Sequence, residues 1–242
     1  MPRKRRGGVA PHEVDRLTVA DTRALVFGDN AVAQDWFARV FSADVRQCIA
    51  AVTKAFNRYK DLSDTIALEK RPATVTLFVH AAVNSVLTSL HLFVSGFPIP
   101  AGQLMRHFAE CIAMAMMCSD PSCGVYELYA ADRRNYPVHK SLDLVTQQRI
   151  SKALQKSLNM DKENYSKFAK FMKFYDHHSH ASALTLGYSM VFTVAGGLVL
   201  GSQVDPSKKA QYKAELRSYS RACNTLVVLV TMLERVLPKR TA

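Results

Sequence analysis

Apolar residues return at helical spacing through most of the chain. Trp36, Val40, Ile49, Val52, Phe56 and Tyr59 recur so as to predict one long amphipathic helix, or two in succession, over 30–60. Asp29, just after Gly28, is the expected N-cap. Lys70-Arg71-Pro72 breaks the pattern, and residues 73–95 follow without a formal charge, rich in Val, Leu and Phe. The Gly-Phe-Pro-Ile-Pro stretch ending at Pro100 is a loop signal. A third helix is expected from Ala101 to Cys118. Asp120-Pro121 reads as an N-cap followed by proline at the first helical position, opening a short fourth helix. Residues 142–158 read as helical with a basic face. Residues 161–184 read as a helix that buries Tyr165, Phe168, Met172 and Tyr175. Asp205-Pro206 repeats the cap signal and starts a last helix, in which Tyr212, Leu216, Tyr219, Cys223, Leu226, Val230 and Leu233 face the core before Pro238 ends it.

One stretch breaks the helical period. Residues 188–194 are β-branched and aromatic, Gly196-Gly197 follow, and a second short apolar run ends at Gln203. Two such runs around paired glycines predict a β-hairpin near residues 188–203. A buried helix and a membrane span are the alternatives. The expected fold is therefore mainly α: a multi-helix bundle with one small β-hairpin. Residues 29–242 form a single helical domain behind a basic, disordered tail over 1–28. No membrane span is expected, because residues 73–95 carry His80, Asn84 and His91 among several Ser and Thr.

Charge changes this picture more than composition does. The apolar fraction of 48% and charged fraction of 21% are those of an ordinary globular chain. The net charge of +12 is not ordinary, and it favours polyanionic partners. Arg3, Lys4, Arg5 and Arg6 supply four of those charges and no apolar run follows them, so no export signal is read there. Arg133 to Lys173 holds ten Lys or Arg against Asp143, Asp161 and Glu163. Tyr136, Tyr165, Phe168 and Tyr175 are interleaved with these cations, as RNA binding would use them. The remaining +1 leaves the rest of the chain close to neutral. Five cysteines, at 48, 111, 118, 123 and 223, show no Cys-x-x-Cys spacing. They read as reduced thiols in a cytoplasm, with no metal site and no cofactor.

Two clusters carry the candidate chemistry. Arg106 and Glu110 stand four apart on a helix otherwise almost wholly apolar, so they share a face as a desolvated ion pair or as part of a polar cleft. Asp176, His177, His178 and His180 form the second cluster. His177 and His180 share a face with Lys170 and Lys173, a basic stripe able to meet phosphate, whereas His178 points toward Phe171 and Phe174 and reads as a satisfied core histidine. Arg133 and Arg134 extend the basic region. Arg134 and His139 have the Arg-to-His spacing of the metal-independent ribonuclease domains called HEPN, but Pro137 breaks the helix that would align them.

The order of a Gly-Phe-Pro loop, Leu104-x-Arg106-x-x-x-Glu110, an Asp-Pro start, Tyr175-x-x-x-Ser179-His180, a Gly-Gly hairpin and a helix with Tyr212-x-x-Glu215 resembles a set of uncharacterised bacterial helical proteins. Some of these look distantly HEPN-like. The resemblance covers about 74–237 and implies Arg106, Glu110 and His180 as the positions to watch. It departs from the HEPN pattern in that Lys173, not Arg, stands seven residues before His180. The resulting expectation is an intracellular protein that binds RNA, or cleaves it as a HEPN-like ribonuclease. In the latter case His180 moves the proton, Arg106 stabilises phosphate charge and Glu110 orients one of them. Lys170, Lys173, His177, Arg133 and Arg134 would contact the nucleic acid. The rival expectation is a non-catalytic, homo-oligomeric interaction module in which Arg106–Glu110 is a buried structural pair. Membrane association through 73–95 and 181–204 is a smaller alternative.

Overall fold

Phe41 splits the first apolar stretch into two helices, α1 (Ala31–Val40) and α2 (Ser42–Thr65). The computed structural model describes residues 19–20, 30–131, 162–179, 188, 190–191, 197–198, 202 and 204–240. The first helix starts after Asn30, which makes no side-chain cap, and the expected N-cap Asp29 lies outside the described residues. The chain then forms α3 (Lys70–Val94), α4 (Pro98–Ser119), α5 (Val125–Ala131), α6 (Lys162–Ser179) and α7 (Lys209–Val236). The helices expected over 101–118 and 205–238 are present with slightly moved ends. The expected tail over 1–28 and the helix over 142–158 lie outside the described residues, apart from the helical, exposed Val19 and Ala20.

Both Asp-Pro signals open a 3-10 turn rather than an α-helix. The Asp120 and Asp205 carboxylates accept from the backbone N–H of Ser122 and Ser207, two residues on. A carboxylate bonding back at that spacing closes a tight Asx turn, which suits proline next in line. Gly124 follows the first turn at φ +67°, in the left-handed region that only glycine enters freely.

The protein is mainly α. The hairpin expected over 188–203 is not seen. The described residues there hold only a two-residue antiparallel contact, Met190 opposite Leu198 and Val191 opposite Gly197, and 192–196 lie outside them. Length and composition would let α3 cross a membrane, the only such helix among the described residues. Here it buries Val75, Val79, Val83, Val86, Leu90 and Phe93 in the protein core.

Helix α4 sits at the centre. From Cys111 to Ser119 every residue is buried, and a helix apolar all round must be enclosed on all sides. The tight turn at Gly96 (φ +85°) folds α4 back on α3, the most extensive helix pair. Helices α2 and α7 run parallel. Cys48 Sγ donates to the Leu216 carbonyl at 3.0 Å, and ten residues later Arg58 reaches Thr231 and Glu234. A short backbone strap closes that end: Ala67 N–H donates to Pro238 O at 3.0 Å and Arg240 N–H to Thr65 O at 2.9 Å. Aromatic rings of Trp36, Phe37, Phe41, Phe93 and Tyr212 pack edge-on or tilted where α1, α3 and α7 meet.

Burial also sets thiol reactivity. It pushes the thiols of Cys111, Cys118 and Cys223 up to about 12 and raises Cys48 as well, so all four stay protonated near neutrality. Cys123 alone is partly exposed. Mass spectrometry after brief iodoacetamide treatment at pH 8 is expected to find one alkyl group, on Cys123. Rapid labelling of any of the other four in the folded protein would contradict this burial.

Candidate nucleic-acid interface and the polar core behind it

Helix α6 lies antiparallel against α4. At one end Gly102 meets the ring of His178, and Gln103 Nε2 donates to the His178 carbonyl at 3.4 Å. At the other end the rings of Phe108 and Phe171 are 6.3 Å apart. Arg106 stands between these contacts, so its backbone is level with the middle of α6. Its Nε donates to Glu110 Oε1 at 2.9 Å. The two side chains retain 26% and 17% of their exposure. The pair is therefore largely covered, as expected, and opens to solvent only at the edge of the core.

On the outer face of α6, Lys170, Lys173 and His177 are exposed in a row at spacings of three and four. The ammonium groups of Lys170 and Lys173 pair with no acidic group among the described residues. Arg133, Arg134, His139 and His180 lie outside the described residues, as do the side chains of Tyr165, Phe168 and Met172.

Behind this face is a polar core that the sequence reading did not single out. Glu215 on α7 is 4% exposed and accepts from Tyr175 Oη at 3.0 Å and Tyr188 Oη at 3.2 Å. Burial raises its carboxyl to about 7, against the two tyrosine hydrogen bonds that favour the ionised form. Burial and the neighbouring Glu215 push both tyrosine hydroxyls up as well. Alongside, Ser89 Oγ donates to the Ala101 carbonyl at 2.6 Å. Its single proton is then committed, so Tyr219 Oη donates to Ser89 Oγ at 2.7 Å.

His178 closes the cluster. Its ring packs against Phe174, Tyr175 and Tyr188, with centroids 5.4, 5.4 and 5.8 Å away. The side chain is buried as expected, yet it is not satisfied: Nδ1 has no hydrogen-bond partner. Burial lowers the imidazole to about 4, outweighing the nearby Phe174 carbonyl, so the ring is neutral at pH 7. No family model, no curated protein and no solved structure matches this chain.

The buried cluster ties three elements together through Glu215. Its side chains are buried, and its effect is to hold α6 and Tyr188 on α7. Among the described residues no three His, Cys, Asp or Glu side chains come together as a metal would require. A Ser–His contact does occur elsewhere: Ser85 Oγ lies 2.8 Å from His107 Nδ1, but also 2.7 Å from the Ala81 carbonyl one turn back. With that carbonyl taking the serine proton, His107 donates to Ser85, the reverse of what nucleophile activation needs. The signal for the polar core was present in the sequence. Glu215 is the one acid on the α7 stripe that carries Tyr212, Leu216 and Tyr219.

Proposed function

We propose that this protein binds RNA through the outer face of α6, flanked by Arg106 of α4. The observation that carries the reading is the exposed row of Lys170, Lys173 and His177, with two ammonium groups unpaired among the described residues. Phosphate is the partner such a row attracts, and its contribution falls as salt rises. The polar core supports the reading from behind, since it fixes α6 against α7 and keeps the row in place. The likeness to HEPN-like helical proteins points the same way, and it makes Arg133, Arg134 and His180 natural extensions of the face. Cleavage would require His180 as the proton-transfer group beside Arg106, whose guanidinium is already engaged by Glu110.

Lys170→Glu/Lys173→Glu is expected to weaken binding of a labelled single-stranded oligoribonucleotide by roughly tenfold or more at low salt. Circular dichroism should be unchanged, because both side chains are exposed. Binding equal to wild type, at every salt concentration, would end the α6 reading. Cleavage is tested in the same assay with Arg106→Ala and His180→Ala. Loss of any RNA cleavage with binding retained would make the protein a ribonuclease. Losing the largely covered Arg106–Glu110 pair is expected to cost the fold about 1 kcal/mol.

A different observation favours a second reading, an interaction module that pairs with its own copy. Leu77, His80, Asn84, Leu87 and His91 are exposed on α3 at alternating spacings of three and four. An uncharged stripe with that period is the seam of a two-helix coiled coil, with Asn84 able to set register. Sedimentation velocity of wild type and Leu77→Glu/Leu87→Glu would decide: a dimer that the variant dissolves supports it, and a wild-type monomer at high concentration removes it.

A further inference from the structure

Helix α7 carries a second cationic row, away from α6. Lys209, Lys213, Arg217 and Arg221 follow one another at intervals of four and are all exposed. A helix rises about 1.5 Å per residue, so these charges are spaced about 6 Å apart along the axis and wind only slowly around it. The opposite side of the same segment is buried, with Tyr212, Glu215, Leu216 and Tyr219 in the core. The only acid within the row, Glu215, is therefore turned inward. None of the four cationic side chains makes an ion pair or hydrogen bond among the described residues.

This arrangement works against the helix that holds it. Three successive like-charge pairs at i, i+4 repel one another. Lys209 is also the first residue of α7, near the positive end of the helix dipole, where the one acid among the described residues, Asp205, is buried and engaged with Ser207 and Lys208. Local rules broken without a structural return mark a place where something outside the fold supplies the return. A linear polyanion would. The residues exposed between the cations and in the turn after Arg221 are Ala210, Ala214, Asn224 and Thr225, and the first large apolar one is Val228, two turns beyond the row. A lipid surface would need apolar side chains to insert, and base stacking would need aromatic ones. What fits is a nucleic-acid backbone gripped through its phosphates, without sequence preference.

We infer that the row Lys209–Lys213–Arg217–Arg221 is a second nucleic-acid backbone site, distinct from the α6 face. It rests on the reading of the protein as an RNA binder, and the test separates the two. Affinity for a labelled single-stranded oligoribonucleotide is measured against salt for four proteins: wild type, a variant with all four residues changed to Gln, a charge-keeping variant (Lys209→Arg, Lys213→Arg, Arg217→Lys, Arg221→Lys), and Lys170→Gln/Lys173→Gln. The slope of log K against log salt is expected to shrink by about 0.7 for each cation removed, hence by about 3 in the four-Gln variant. The charge-keeping variant is expected to retain the wild-type slope.

Removing the repulsion is also expected to leave the melting temperature of the four-Gln variant unchanged or higher, so weaker binding would not reflect a weaker fold. Should that variant melt lower, single Arg217→Gln replaces it, with a slope change of about 0.7 expected. A wild-type slope in the Gln variants overturns the second site, whether or not the α6 variant is impaired. An impaired four-Gln variant beside a normal α6 variant keeps the α7 site and removes the α6 reading. No binding by wild type removes both. Sensitivity of pelleting with phosphatidylserine vesicles, without sensitivity of RNA binding, would also overturn it in favour of a membrane contact.

Discussion

In Glu215→Gln, stability relative to wild type is expected to climb by about 3 kcal/mol as pH rises from 4.5 to 7. The sign follows from where the proton sits. The Glu215 carboxyl stands at about 7 in the folded chain against an ordinary 4.5. A raised folded value stabilises fully below 4.5, and that stability is lost as pH rises through 7. Each unit is worth about 1.4 kcal/mol, which gives the figure of about 3. His178 does the opposite. Its imidazole is lowered to about 4 from 6.5, so its contribution is complete above 6.5 and is lost as pH falls through 4. Between 4.5 and 6.5 the two slopes nearly cancel in the wild-type protein. Removing either group exposes the other: Glu215→Gln leaves stability rising with pH from 4 to 6.5, and His178→Gln leaves it falling from 4.5 to 7. Urea unfolding of the three proteins across pH 4 to 8 reads this directly. Parallel profiles for both variants would show that the core does not hold a neutral acid beside a neutral base. Each variant also carries a constant cost, since Gln at 215 cannot accept from both Tyr175 and Tyr188 through carboxylate oxygens.

Gly102→Ala is the second large effect. Alanine in a helix interior is ordinarily favoured over glycine by about 1 kcal/mol. Here a Cβ would fall 2.1 Å from His178 Cδ2 and 2.2 Å from Cγ. The ring has little room to retreat, because Phe174, Tyr175 and Tyr188 surround it. Overpacking of this kind costs about 1–3 kcal/mol or more, and a net loss of about 2 kcal/mol is expected. In the background of His178→Ala the ring atoms are gone and only the His178 Cβ position, at 2.8 Å, remains close. The cost of Gly102→Ala should then fall by about half, the remainder coming from the close Cβ. A double-mutant cycle by chemical denaturation measures the difference. Strictly additive effects would mean that α4 and α6 do not meet at this point.

The helices were legible because their apolar stripes are long and cleanly spaced. The stripe of α7 buries the side chains that its period selects, including Tyr212, Leu226 and Leu233, but on the first two helices the expected stripe holds only at Val52: Val40, Ile49 and Phe56 are exposed, and the small side chains of Cys48, Ala51 and Ala55, with Leu62, form the buried face of α2 because they let it pack closely. What periodicity missed was local. Phe41 is apolar and gives no sign of a break, and an Asp-Pro-Ser run signals an Asx turn as readily as a helix cap. The site was read less well than the fold. Arg106–Glu110 was recognised as a pair from its spacing, but how far it is buried depends on which neighbours reach that end of α4. Net charge hid the α7 row altogether: five cations between Lys208 and Arg221 were averaged with acids elsewhere into a near-neutral remainder. Only the separation of buried from exposed positions shows that Glu215 turns inward while Lys213 and Arg217 do not.

The parallel pairing of α2 with α7 has a consequence for how the chain is made. Cys48 bonds a carbonyl 168 residues downstream, whereas α3 and α4 meet across a single tight turn. At about 5–20 residues per second of synthesis, α2 leaves the ribosome roughly ten to thirty seconds before its partner does. Through that interval Ala51, Val52, Ala55 and Leu62 lack the helix that covers them. The nascent chain therefore passes through a hairpin of α3 and α4 with an uncovered helix beside it, a form that a chaperone could hold and that the finished protein does not present.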